Sequence, residues 1–184
     1  MINDAANSPV WLSPTNSAKF DRMPSKNLRL SKIILLSWLI AGTMDICAAF
    51  LSSYVKSGVK PGQVLRYVAS GIFGREAFVP ETKAMMASLG LLFHYLIALL
   101  FTLFFYWIYP KLKLQRLNQF LLAFLYGLFV WTIMNRVVIP FTNTPGAKSG
   151  NFDLNNALLN MLILVICIGL PLSLIARKYY LYKK

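Results

Sequence analysis

LGLLFHYLIALLFTLFFYWI, running from Leu89 to Ile108, holds no Lys, Arg, Asp or Glu, and His94 is its one imidazole. Coiled as a helix at 1.5 Å per residue, it is ~30 Å long, the thickness of a bilayer's hydrocarbon layer. A helix apolar all round has no face for water, so it belongs in a large core or in lipid. Three further runs of the same kind follow the same reading, and the spans are placed at about 33–53, 87–109, 118–141 and 154–176. Lipid offers backbone groups no hydrogen-bond partner, which makes helices the default, and nothing alternates with the ten-residue rhythm of a membrane barrel. The fold class expected is all-α, a polytopic membrane protein with four transmembrane helices.

Composition agrees. The chain has 184 residues, 57% of them hydrophobic and 14% charged, with a mean hydropathy of +0.57. Soluble domains carry about a quarter charged residues, so an ordinary cytosolic enzyme, a disordered tail and a secreted disulfide scaffold are excluded together. Cys47 and Cys167 both fall inside spans and form no CxxC. They read as small packing residues; no disulfide exchange, metal or cofactor is expected.

Residues 1–32 read as a mobile, basic N-terminal tail rather than a cleaved leader, because the run that follows is long and contains Asp45. Residues 33–176 form the four-helix domain and 177–184 a basic C-terminal end. Between the first two spans the break at Lys60, Pro61 and Gly62 precedes Val64, Leu65, Val68 and Ile72 at helical spacing, with Arg66 and Ser70 expected to turn away from them. That pattern predicts a short amphipathic helix within 60–75, interfacial or re-entrant, whose Lys60, Arg66 and Arg75 contact lipid, anionic headgroups above all. Pro80, Glu81 and Thr82 look like a helix start ahead of the second span.

Loop charge sets the orientation. Twelve Lys and Arg lie in the N-terminal tail, the 111–116 turn and the C-terminal end, against six in the long link and the last loop. Basic residues accumulate in the cytoplasm, so both termini are placed there. The net charge of +13 is then topology and lipid contact; no soluble domain is present to hold a nucleic acid.

Ionisable side chains within spans are expensive and mark candidate functional sites. Here they are Asp45, His94 and Arg136, accompanied by Asn135, Asn156 and Asn160. Counted from the span ends nearest the long link, Asp45 lies ~12 Å deep, His94 ~10 Å, Arg136 ~8 Å and Asn160 ~10 Å. One shared level on all four helices predicts one buried polar site, and opposite charges at compatible depth predict an Asp45–Arg136 ion pair, completed by His94 or an Asn. Small residues around Asp45, such as Ala41, Gly42 and Ala48, allow the close approach this needs. A buried network that merely clamps the helices in register explains the same residues, and both readings stand at this point. Gly169 and Pro171 should loosen or kink the fourth span.

From Leu89 to Pro145 the order is a span with an early His94, then Tyr109-Pro110-Lys111-Leu112-Lys113, a second span ending in Asn135-Arg136 and Pro140, and then Thr144-Pro145. This resembles the YagU-like family of small bacterial inner-membrane proteins over about a third of the chain. The resemblance implies a bacterial inner membrane and a multi-span helical fold; it brings no reaction with it.

The function these residues suggest is a small permease or channel-like protein with a buried protonatable site, the solute or proton it moves being left open. Four spans are few to enclose a path, so a homodimer is expected. The alternatives are a lipid-binding or lipid-modifying module, and a structural or accessory subunit. Enzyme chemistry is disfavoured, since neither a GxSxG motif nor paired carboxylates nor a metal-ligand cluster is present.

Overall fold

The computed structural model of the chain describes residues 30–145 and 153–182. The tail to residue 29, with most of the basic residues assigned to it, the 146–152 part of the last loop with Lys148, and Lys183 and Lys184 lie outside the described residues.

Among the described residues there is no strand. Helix α1 is Leu30–Ser57, and α2 is Pro61–Phe73, followed by 3-10 turns at Gly74–Phe78 and Pro80–Thr82. Helix α3 is Lys83–Lys111. After a 3-10 turn at Leu114–Arg116, the third span consists of α4, Gln119–Ile133, a π-turn at Met134–Val138 and the short α5, Ile139–Phe141. The fourth is α6, Leu154–Leu164, a π-turn at Val165–Gly169 and α7, Leu170–Tyr182. Four stretches are long and apolar enough to cross a membrane: Leu30–Ser57, Pro80–Lys111, Gln119–Phe141 and Leu154–Leu181. Most are longer than the runs read from hydropathy because polar turns at the ends, Lys56–Ser57 and Pro80–Thr82 among them, continue as helix.

Local chemistry sets the ends. Gly58, with φ of 64°, stops α1 in a left-handed conformation that a Cβ would strain, and its N–H returns to the Tyr54 carbonyl at 2.8 Å. Asn118 and Asp153 cap α4 and α6 by accepting from Phe120 N at 2.8 Å and Asn155 N at 2.9 Å. Both π-turns end two residues before a proline, Pro140 and Pro171. Proline cannot donate to the carbonyl four residues back, here Arg136 and Cys167, and the freed turn widens. The loosening expected at Gly169 and Pro171 takes this form.

Packing is uneven along the bundle. The main core lies toward the end where the first span begins and the fourth finishes, with Ile33, Phe105, Tyr109, Tyr126, Leu172 and Ala176 among its members. Phe105 meets Tyr126 edge-on at 4.7 Å, and Tyr109 stacks on Tyr180 at 4.8 Å. Two polar bonds cross this core: Ser37 Oγ to Tyr106 OH at 2.7 Å, and Tyr126 OH donating to the Phe101 carbonyl. Tyr106→Phe therefore strands a fully buried serine hydroxyl; it should destabilise by about 1 kcal/mol, read as a lower unfolding midpoint in detergent titration. Toward the opposite end the third and fourth spans loosen: no residue of α5, α6 or the Met134–Val138 turn is buried.

There α2 lies against α3 where Leu65 meets Gly90, backbone against backbone, and Ala69, Ala77 and Met86 form a second small core. Arg66, expected outside, is 8% exposed. Its Nε donates to the Ala77 carbonyl at 2.7 Å and its guanidinium lies 5.4 Å from the Phe78 ring centre. Ser70 is buried too, while Tyr67 and Ile72 are exposed. The inner face of α2 is thus its small and hydrogen-bonding side, because only small residues admit the backbone contact at Gly90. Asn143 fastens the other side, donating from its backbone to the Gly71 carbonyl at 2.9 Å, so α2 bridges α3 and the end of the third span.

Candidate functional site

The seam between α1 and α3 runs antiparallel and is held by side-chain bonds. Trp38 Nε1 donates to the Tyr95 carbonyl at 2.7 Å, and the Thr43 and Tyr95 hydroxyls lie 2.8 Å apart. Between them His94 Nε2 is 2.9 Å from the Gly42 carbonyl. A carbonyl only accepts, so His94 donates from Nε2, and in the neutral ring Nδ1 is left as a bare lone pair. Gly42 tolerates this contact because it has no side chain: a Cβ there would crowd the Tyr95 ring at 3.1 Å.

Asp45 sits one helical turn from Gly42, partly buried, close enough to His94 for their charges to interact. The thiol of Cys167, in the fourth span's π-turn, is within electrostatic reach of the same carboxyl. Asp45 makes no hydrogen bond and no ion pair among the described residues. Every fully buried polar side-chain atom described does have a partner, so the Asp45 oxygens are not sealed away. The result is an unconsumed carboxyl beside an imidazole with one nitrogen fixed and the other open. Such a pair can take up, hold and release a proton; it holds neither a nucleophile motif nor, among the described residues, three ligands placed for a metal ion.

The other predicted members lie elsewhere. Asn135 and Arg136 are exposed on the third span's π-turn; Asn135 Nδ2 donates back to the Trp131 carbonyl at 2.8 Å, and Arg136 has no hydrogen bond or ion pair among the described residues. Asn156 bonds the Asp153 carboxylate through its amide, and both it and Asn160 are exposed. The expected Asp45–Arg136 ion pair therefore does not form. Depth follows from the rise per residue and is shared, but the direction in which a side chain leaves its helix does not, and the π-turn before Pro140 changes that direction locally. Of the lipid contacts expected, Lys60 and Arg75 are exposed and Arg66 is not.

Two parts of the site went unread in the sequence. Cys167 carried no signal beyond its apolar neighbours, and the Gly42 carbonyl, being backbone, carries none. Beside the site, Trp38, Leu39, Leu92, Tyr95, Leu96 and Leu99 line an open apolar groove of about 530 Å³ on the outer side of the seam. No protein-family model, curated protein or solved structure matches the chain.

Proposed function

We propose that the chain is a small permease or channel-like protein of the bacterial inner membrane, both termini cytoplasmic, with Asp45 and His94 as its protonatable site. The observation that carries this reading is the bonding state of Asp45: a carboxyl serving only to clamp helices would have its acceptors filled, whereas this half-buried one has none filled among the described residues and its oxygens are not fully enclosed. His94, tied to the Gly42 carbonyl at 2.9 Å, presents a fixed Nδ1 and supplies the second proton-binding group. The loosely packed halves of the third and fourth spans lie at the same end as this pair, where a path can open without dismantling the core. Helix α2 bridges that end and serves as its lid, with exposed Lys60 and Arg75 resting among anionic headgroups. The location rests on the loop charges and on the resemblance to the YagU-like family.

Proteoliposomes with an interior pH dye test the reading. Wild-type protein should dissipate an imposed proton gradient, and Asp45→Asn, which keeps the shape and loses the charge, should fall to the rate of empty liposomes. Equal flux in both would overturn it. A lipid-binding module is the second reading, favoured by the 530 Å³ apolar groove; absent flux together with one dominant co-purified phospholipid would put it ahead.

A further inference from the structure

Thr132 near the end of α4 and Asn135 and Arg136 in the π-turn that follows cluster within two turns of the third span, and Asn156 and Asn160 share one face of the fourth. All five are exposed. Thr132 and Asn135 return one bond each to their own helix, at 2.8 Å in both cases. The side chains of Arg136 and Asn160 make none among the described residues. An uncompensated guanidinium and amide facing hydrocarbon are expensive, so something polar covers them in the membrane.

Depth separates the two kinds of cover. Arg136, five residues in from Phe141, lies ~8 Å below the span end, and its long stem can carry the charge up to a lipid phosphate. Asn160, seven in from Asp153, lies ~10 Å deep on a short side chain, where no headgroup comes. A second copy reaches both. Two copies related by a two-fold axis along the bilayer normal keep every residue at its own level, so Arg136 of one stands near the level of Asn160 of the other, and its long stem reaches up toward the Asp153–Asn156 pair nearer the span end. The chemistry is complementary: five N–H donors with a positive charge face amide oxygens and a carboxylate. Packing points the same way, because α6, α5 and the Met134–Val138 turn bury no residue within one chain, whereas α7 buries Leu172, Ser173 and Ala176 to 0% exposure.

We propose that the outward polar face of the third and fourth spans, centred on Arg136 and Asn160, is where two copies of this chain meet in the membrane. This rests on the chain crossing a bilayer and is independent of the permease reading.

Full-length protein in native membranes, with Cys47→Ala and Cys167→Ala, tests it by oxidative cross-linking of Asn160→Cys against Leu162→Cys, two positions on opposite sides of α6. Asn160→Cys should give a disulfide-linked dimer much faster than Leu162→Cys, and adding Arg136→Leu should suppress it. Light scattering of the wild type in mild detergent should in parallel give twice the 20.8 kDa chain mass. Arg136→Leu, which removes two contacts per dimer, should raise the dimer dissociation constant about tenfold. Equal cross-linking at the two positions would overturn the proposal. So would a wild-type monomer, including one carrying an anionic phospholipid that Arg136→Leu loses, which would assign the face to lipid.

Discussion

Gly169→Val should leave almost no folded protein, an effect among the largest expected of any single substitution outside the candidate site. The third and fourth spans cross where two glycines let backbones meet, Gly127 against Val165 and Gly169 against Ala123. A Cβ on Gly169 would overlap the Ala123 carbonyl oxygen and stand 2.9 Å from its carbon. Backbone cannot turn aside as a side chain can, so the helices must separate. Separation unpacks Leu172 and Ile168, both core members, and pulls the Cys167 turn away from Asp45. Overpacking in an ordinary core costs about 1–3 kcal/mol; with backbone as the obstacle and a branched side chain as the intruder, the upper end or beyond is expected. Gly62→Ala supplies the control. It lies in α2 with nothing within 4 Å of its would-be Cβ, and alanine's higher helix propensity should leave stability equal or raised by up to about 1 kcal/mol. Fluorescence-detected size exclusion of the two variants beside wild type reads the difference directly. A monodisperse Gly169→Val at wild-type yield would show that the crossing is looser than its geometry.

The same contrast separates what the residues of a membrane chain display in sequence from what only their packing decides. Apolar runs such as Leu89–Ile108 reveal themselves because lipid demands one kind of residue on every face, so the four spans needed only counting. The break at Lys60, Pro61 and Gly62 likewise marks where α2 begins, at Pro61. What counting misses is rotation. Polarity alone turns Arg66 and Ser70 outward, yet hydrogen bonding to the Ala77 and Tyr67 carbonyls lets both turn inward, while Ile72 faces out. In lipid the outer face is apolar as well, and the polar-outside rule that fixes helix azimuth in water loses its force. Arg136 escaped the predicted pair for the same reason, compounded by a π-turn whose cause, Pro140, lies after it in the chain. Depth alone says more for His94 and Gly42, because they sit on two helices in direct antiparallel contact, where similar depth comes close to implying contact.

His94→Gln should give a protein that folds as stably as wild type yet moves no protons, and His94→Leu one that still folds but is less stable and also moves none. The distinction follows from what each nitrogen does. Nε2 holds the Gly42 carbonyl at 2.9 Å, a bond between α1 and α3 that any N–H donor of similar reach can supply, and the glutamine amide supplies one. The same amide has no basic nitrogen, so the proton-binding role proposed for Nδ1 would disappear with the ring. Leucine keeps the volume but leaves the carbonyl without its cross-helix donor, a loss of about 1 kcal/mol on the scale of interhelical polar contacts. The seam survives it because the bonds from Trp38 to the Tyr95 carbonyl and between Thr43 and Tyr95 remain, which makes the stability change measurable rather than catastrophic. Flux in proteoliposomes and unfolding midpoint in detergent, measured on the same preparations, therefore separate the two roles. If His94→Gln conducts like wild type, the imidazole is a fastening between helices and Asp45 alone carries the proton. If His94→Gln is as unstable as His94→Leu, the Gly42 bond depends on the ring's shape, and the Trp38 and Tyr95 contacts that frame it become the next places to look for the site's support.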